Sequence, residues 1–578
     1  MSFDSSEIWA SSSDEWDFVE LSDENGIDTT TISEYWIKQQ FGGKYKWTTL
    51  EHNGVLFPPE YIKHNVPVIY NGKQIILNKL QEEYATLYAK YLETEYINNK
   101  TFNKNFWKDW KETLGKNHEI QDFEGCDFSM IYNHLVEEKE KKQELSSEDK
   151  KILKEEKEKQ EEKYKWAIVD GEKQPVGNFR METSGLFIGR GCSKYLGSIK
   201  PRITPEDITI NIGKEAPIPK LHGDHQWGKI VHDRTTEWLV SWIENVTGKR
   251  KYVWLGAHSK FKAESDIKKF DLARRLKKGI GKIRKAIDNE LSHPEEVVRQ
   301  MATALYLIDN LALRVGSEKG DDNDTVGVTS LRVEHIMFHE KNLIELDFLG
   351  KDSIRYNNSH EVSDKVYKNL REFTNGKNKN DDLFDKIDSN LVNKYLQSFM
   401  KGLTAKVFRT YNASNLFQKE LNKIEKKLHD GNITEDDIDE LLNAYNDANI
   451  KVALLCNHQK KVAKSFNSQI EKIDEKIKTL KNKIAAIRRK QAKRTKKSKN
   501  DEERIKRLRN QMNEFKAKKK IKIELKGIST ETSKSNYIDP RITVAFVKNH
   551  GIPIDKLFSQ TLQEKFKWAF TVDENWKF

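Results

Sequence analysis

Apolar side chains recur along this chain at two periods, and the changes of period mark its elements. Leu272, Leu276, Ile280, Ile283 and Ile287 lie three or four residues apart, the spacing of one helix face. Ile470, Ile473, Ile477, Leu480, Ile484 and Ile487 follow a strict 3-4 alternation, resumed by Ile505, Leu508, Met512 and Phe515 after a polar break. Two such arms predict an antiparallel coiled-coil hairpin. Elsewhere the period is two. Ile344, Leu346 and Phe348 alternate with Glu345 and Asp347, then Gly350-Lys351-Asp352 turns the chain into Ile354-Arg355-Tyr356, which sets Lys351 at a β-hairpin tip. Asn71-Gly72, between Val66 and Leu77, predicts a second hairpin, followed by a helix from Asn78 to Tyr96.

Capping residues place further boundaries. Ser146 followed by Ser147-Glu148-Asp149 starts a solvent-facing helix within the Glu- and Lys-rich stretch 137–165. Thr204-Pro205-Glu206-Asp207 predicts a short helical turn. A helix from Pro294 to Gly316 sets Arg314 in its last turn, and Thr404 caps a helix carrying Arg409. Thr434-Glu435-Asp436-Asp437 starts another, with Ile438, Leu441, Leu442, Tyr445, Val452 and Leu455 on its buried side and His458 just past its end. Asp539-Pro540 starts a helix over 541–549, which leaves Tyr537 on the connecting segment before it.

Composition narrows the class. The 578 residues include 101 Lys+Arg against 90 Asp+Glu, a net charge of +11, and 33 % of all residues are charged. Residues 1–30 hold nine acidic side chains and no Lys or Arg, so the rest of the chain carries +20. Sixteen Lys+Arg against four Asp+Glu fall in 488–520. The acidic opening reads as a disordered tail, with order starting near Ile32 among Tyr35, Trp36, Phe41, Tyr45 and Trp47. A basic body points to a polyanionic partner, nucleic acid first. No run of about 18 apolar residues is present, and the N-terminus lacks a secretory pattern. Cys126, Cys192 and Cys456 lie too far apart for a disulfide scaffold or a Cys-based zinc finger, which suits a reducing compartment. No phosphate-binding glycine loop or clear metal-ligand cluster is visible.

These signals alone stop at a basic, mostly helical protein with a coiled-coil arm. From about Ile32 to Phe578, however, the chain resembles eukaryotic nuclear type IB DNA topoisomerases. The resemblance runs in order through Phe102-Asn-Lys-Asn-Phe-Trp-Lys-Asp-Trp110, Gly185-Leu-Phe-Ile-Gly-Arg-Gly191, Pro205-Glu-Asp-Ile-Thr-Ile-Asn211 and Ala273-Arg-Arg-Leu-Lys-Lys278. It continues through Leu311-Ala-Leu-Arg-Val-Gly316, Asp347-Phe-Leu-Gly-Lys-Asp-Ser-Ile-Arg-Tyr356 and Leu403-Thr-Ala-Lys-Val-Phe-Arg-Thr-Tyr-Asn-Ala-Ser414. Leu455-Cys-Asn-His-Gln459 and Ser533-Lys-Ser-Asn-Tyr-Ile-Asp-Pro-Arg-Ile-Thr-Val544 complete it.

The resemblance implies a five-residue catalytic set: Tyr537 as nucleophile, Arg314, Arg409 and His458 as donors to phosphoryl oxygens, and Lys351 as general acid. It implies DNA contacts at Arg190, Asp352 and Asn536, the last two bordering a pocket for camptothecin-type inhibitors; Ser535 stands where an apolar residue is expected. Arg274, Arg275, Lys277 and Lys278 are expected on backbone phosphates. No cofactor and no metal are expected, because the phosphotyrosine retains the bond energy of the phosphodiester and religation is nearly isoenergetic.

The fold class expected is α+β and multidomain. Residues 1–30 form the tail, 31–249 a mixed α/β DNA-binding cap, and 250–461 a mostly helical catalytic domain like that of tyrosine recombinases and type IB topoisomerases. Residues 462–526 form the coiled-coil linker and 527–578 a small helical C-terminal domain carrying Tyr537. The implied protein is a monomer around double-stranded DNA, away from membranes, in the nucleus. Its short acidic tail lacks the basic import region of nuclear relatives, so Arg488–Lys497 is either an import signal or a charged tip that touches DNA. Two alternatives stand beside this reading: a site-specific tyrosine recombinase, and a non-enzymatic DNA-binding chromatin protein.

Overall fold

The Asn71-Gly72 turn forms as its residues dictate. Asn71 (φ 49°) and Gly72 (φ 82°) both take left-handed conformations, the geometry that joins two right-twisted strands through two residues. In the computed structural model, which describes residues 45–189, 193–316, 325–429, 438–459, 465–492, 499–524 and 526–578, this hairpin lies in the first of two units. The expected tail, Tyr35, Trp36, Phe41, Arg190, Cys192 and the helix start at Thr434–Asp437 fall outside the described residues. Among the described residues, no helix is long and apolar enough to cross a membrane.

The first unit runs to Asp266 and holds two cores. Strand β1 (Leu50–His52) pairs with β5 (Trp166–Val169), which pairs on its other edge with β6 (Glu172–Pro175). The hairpin strands β2 (Val68–Tyr70) and β3 (Lys73–Ile75) join β4 (Cys126–Asp127). A two-stranded sheet joins β7 (Gly185–Leu186) to β8 (Ile199–Lys200). Strands β9 (Thr209–Asn211), β10 (Lys229–Val231), β11 (Trp238–Ile243) and β12 (Arg250–Trp254) form a mixed sheet in the order β10-β9-β11-β12.

Helix α1 (Lys79–Ala89) is shorter than the predicted 78–96; the chain turns after Lys90 and re-enters a short 3-10 segment at Glu95–Asn98. Helix α2 (Lys100–Leu114) buries Phe102, Phe106, Trp110 and Leu114, every fourth residue, and Asn99 caps it by accepting from the Thr101 and Phe102 N–H groups. Helices α3 (Ser129–Glu144) and α4 (Ser147–Glu162) are largely exposed, and Ser146 accepts from the Asp149 N–H as the cap predicts. The short turn at Pro205–Asp207 also forms as expected.

The division between units falls inside helix α5 (Lys260–Glu290). In the second unit, Leu272, Leu276, Ile280, Ile283 and Ile287 of α5 are all buried in one large core. Helix α6 (Glu296–Asn310) starts two residues after Pro294 and stops six residues before Gly316, so Arg314 is not in its last turn. The reason is local. Ala312 takes φ 50°, which ends the helix, and the chain continues extended, with the Val328 and Thr329 N–H groups donating to the carbonyls of Arg314 and Val315. Gly316 (φ 91°) meets Gly327 so closely that a Cβ on Gly327 would lie 2.4 Å from the Gly316 backbone. Gly316 therefore serves a backbone crossing instead of a helix end.

Strands β13 (Ile336–Phe338), β14 (Leu343–Gly350) and β15 (Ile354–Glu361) form an antiparallel sheet, with Gly350 opposite Ile354. Lys351 is exposed in the tip turn, as the alternation predicts. Helices α7 (Asp364–Thr374) and α8 (Ser389–Phe399) lead to α9 (Ala405–His429), which carries Arg409. The Thr404 hydroxyl is buried without a partner among the described residues; Asn393 accepts from the Ala405 N–H instead. Helix α10 (Ile438–Leu455) buries Leu441, Tyr445 and Val452, whereas Ile438 stays 40 % exposed and Leu442 and Leu455 are half-buried.

Helices α11 (Phe466–Ala492) and α12 (Lys499–Glu524) pair antiparallel, with Lys519 on Asp474 and Lys476 over Phe515. Ile477, Leu480, Ile484 and Ile505 are buried at the predicted heptad spacing. Helices α13 (Thr530–Asn536), α14 (Pro540–Asn549) and α15 (Gln560–Lys565) follow. Ile538, Ile542 and Phe546 share the core built by α5, α9 and α10.

Candidate active site

Four of the five residues singled out by sequence occupy one place in the second unit. Tyr537 ends α13, and its N–H donates to the Ser533 carbonyl. Asp539 caps α14, so the chain must turn between two short helices, and the tyrosine sits at that turn. Ser414 of α9 fixes the turn from the other side. Its hydroxyl donates to the Tyr537 carbonyl (3.0 Å) and accepts from the Asp539 N–H (3.0 Å). Because Ser414 and Arg409 share a rigid helix, this clamp also sets the spacing between the phenol and the guanidinium.

Arg409 is buried, 5 % exposed. Its Nη1 donates to the Ala312 carbonyl, and its Nη2 donates to the Cys456 carbonyl at 2.9 Å. The left-handed Ala312 is therefore part of the site. The guanidinium carbon lies 5.0 Å from the centre of the Tyr537 ring. On Arg409, Nε is buried with no partner among the described residues.

His458 follows α10 because Asn457 takes φ 50°, a conformation asparagine tolerates, and so ends the helix. Its ring stacks on Tyr537 with centroids 5.1 Å apart and planes at 29°. Nδ1 lies 2.7 Å from the Ser533 hydroxyl, while Nε2 is buried and unpartnered among the described residues. Arg409 Nε and His458 Nε2 are thus both buried without a partner among the described residues, beside a phenol. Burying a polar nitrogen unpaired costs about 1–3 kcal/mol, so a site that leaves two is built for a partner that arrives.

The charges act on both rings. Burial alone pushes the Tyr537 phenol up, but the positive charges of Arg409 and Arg314 outweigh it, and the net shift is downward from 10.0. Burial, with the same two arginines, lowers His458 to about 3. The imidazole is therefore neutral at pH 7, with one N–H to give. Between about 3 and its ordinary 6.5, the unfolded chain binds the proton that the folded chain refuses. Its contribution to stability is complete above 6.5 and is lost as pH falls toward 3. Moving from pH 7 to pH 5 is expected to cost the wild type about 1–2 kcal/mol more than a His458→Gln variant, read from urea unfolding at both pH values.

Arg314 is exposed on the extended segment after α6, close enough for its charge to act on Tyr537 and His458. Lys351, exposed in its hairpin turn, makes no hydrogen bond or ion pair with the others among the described residues. The side chain of Asp352 lies outside the described residues, and Asn536 is half-buried at the end of α13. The basic stretch of α5 divides. Arg274 lies over Trp576 at 4.8 Å, and Lys277 over Phe578 at 5.6 Å while bonding the Phe578 carbonyl. Arg275 and Lys278 are exposed.

Sequence reasoning missed Ser414, Ser533 and the carbonyls of Ala312 and Cys456. The two serines stood inside the quoted motifs, but nothing local marks a serine as a clamp. The carbonyls leave no signal at all.

Three family models match the chain in order: eukaryotic DNA topoisomerase I, DNA binding fragment, over residues 45–255; eukaryotic DNA topoisomerase I, catalytic core, over 258–491; and a C-terminal topoisomerase domain over 509–578. Among curated relatives, DNA topoisomerase 1 beta of Arabidopsis thaliana is 44 % identical over 556 residues, covering 93 % of this chain and 60 % of the relative. DNA topoisomerase 1 of Caenorhabditis elegans is 44 % identical over 562 residues, with coverage of 94 % and 69 %. The Homo sapiens protein of the same name is 41 % identical over 567 residues, with coverage of 94 % and 73 %. The chain thus spans about 60 % of the length of the Arabidopsis relative.

Proposed function

Because the chain belongs to the eukaryotic DNA topoisomerase I family, we propose that it relaxes supercoiled DNA by transient cleavage of one strand, without ATP or metal. The observation that carries this reading is the phenol of Tyr537, lowered in pKa, beside two buried nitrogens, Arg409 Nε and His458 Nε2, that have no partner among the described residues.

The Tyr537 phenol, acidified by the two arginines, gives up its proton to water, and its oxygen attacks a backbone phosphorus in line. An O–P bond to tyrosine forms, and the bond from phosphorus to the deoxyribose 5′ oxygen breaks. Arg409 Nε, His458 Nε2 and the exposed Arg314 fork donate to the phosphoryl oxygens, where charge accumulates. Lys351, on its free hairpin tip, carries a proton that the departing 5′ oxygen needs. The products are a 3′-phosphotyrosine and a 5′ hydroxyl. Rotation of the free end relaxes supercoils of either sign, and attack by the 5′ hydroxyl reverses the chemistry.

In this reading residues 31–249 form the cap, 250–461 the catalytic domain, 462–526 a coiled-coil linker and 527–578 the domain that delivers Tyr537. The protein acts on duplex DNA as a monomer in the nucleus, with camptothecin-type inhibitors bordered by Asp352 and Asn536. Arg190, Arg275 and Lys278 contact DNA. Arg274 and Lys277 do so only with what their aromatic and carbonyl contacts leave free.

Plasmid relaxation in EDTA without ATP, with denaturant trapping of a covalent protein–DNA adduct, tests the proposal. Absence of the adduct would overturn it. A tyrosine recombinase would instead require a specific site. Replacing the Lys and Arg residues of 488–499 with glutamine is expected to reduce processivity and weaken its salt dependence, because phosphate contacts release counterions. Unchanged processivity across a salt series would remove the arm from the DNA contact.

A further inference from the structure

We propose that Ser533 is a positioning residue: its hydroxyl donates to His458 Nδ1 and holds the imidazole as the tautomer with hydrogen on Nε2, the atom that faces the reaction. This rests on the proposed function of the same site.

One hydrogen is shared between the Ser533 hydroxyl and His458 Nδ1. Nδ1 and the Ser533 oxygen are 2.7 Å apart, and Ser533 is fully buried. Either atom could carry the shared hydrogen. If Nδ1 carried it, the Ser533 hydroxyl would have no acceptor for its own hydrogen, since its one partner among the described residues is this imidazole. Nε2 would then present a lone pair to an anionic phosphoryl oxygen, a repulsive contact. If the serine donates, the hydroxyl and Nδ1 are both satisfied. Only the Nε2 hydrogen is left over, and DNA supplies its acceptor.

The backbone supports the assignment. The Ser533 carbonyl accepts from the N–H groups of Tyr537 and Ile538, so the residue that orients the histidine also closes the turn that carries the nucleophile. The Ser529 N–H donates to the His458 carbonyl at 2.8 Å, which ties the two segments together independently of the hydroxyl. Losing the hydroxyl therefore removes the tautomer control and leaves the backbone ties in place.

The test has four arms. In protein labelled with nitrogen-15 at histidine and free of DNA, His458 is expected to show its proton on Nε2; a proton on Nδ1 would overturn the proposal. Ser533→Ala is expected to mix the tautomers and slow single-turnover cleavage about tenfold, less than the roughly 10²–10³ typical for outright loss of a donor. Ser533→Thr keeps the hydroxyl and is expected to restore both readings. In a His458→Gln background, whose amide donor has no tautomer, Ser533→Ala is expected to add nothing. A further tenfold loss there would make Ser533 merely structural and sink the inference. Since the nuclear magnetic resonance arm needs no DNA, its failure is separable from failure of the adduct assay.

Discussion

Tyr537→Phe is expected to lower plasmid relaxation by about 10⁴-fold or more and to abolish the covalent adduct, because removing a nucleophile takes away the step and not merely its assistance. The variant keeps the aromatic ring that stacks on His458 and lies under Arg409. The backbone ties of the turn to Ser414 and Ser533 do not involve the phenol. Folding should therefore be preserved, and unchanged urea unfolding would show it. A Tyr537→Phe protein that relaxed plasmid at the wild-type rate would remove the phenol from the mechanism.

Arg409→Ala is expected to cost about 10²–10³ in single-turnover cleavage and, in addition, about 2 kcal/mol of stability. Both effects come from one geometry. The fork spans the carbonyls of Ala312 and Cys456, which lie on segments far apart in sequence, and still leaves Nε without a partner among the described residues. Truncation orphans two carbonyls and removes the largest positive influence on Tyr537. Arg409→Lys keeps a charge but cannot span both carbonyls with a planar fork, so it should recover stability only in part. Full cleavage activity in Arg409→Ala would show that Arg314 and His458 suffice without it.

Local order was legible in the sequence because its causes lie within a few residues. The Asn71-Gly72 turn, the heptads of α11 and α12, the cap at Ser146 and the β14–β15 hairpin with Lys351 at its tip all follow from turn chemistry and side-chain period. The failures have causes farther away. Helix α6 was read through to Gly316, because nothing near Ala312 says that its carbonyl must turn to meet Arg409, 97 residues on. Ile438 fits the apolar stripe of α10 but stays 40 % exposed, because a period marks a face and not what packs against it.

The sequence by itself determined the element types, the basic body and, through ordered motifs, the five residues to examine. Only the tertiary structure decided which of them meet. Ser414 reaches Tyr537 across 123 positions and Ser533 reaches His458 across 75. Contacts at that separation depend on how the α5, α9, α10 and α14 faces share one core. The burial that joins the segments keeps the imidazole neutral, while the charges of Arg409 and Arg314, brought to the same place, outweigh burial at the phenol and acidify the nucleophile.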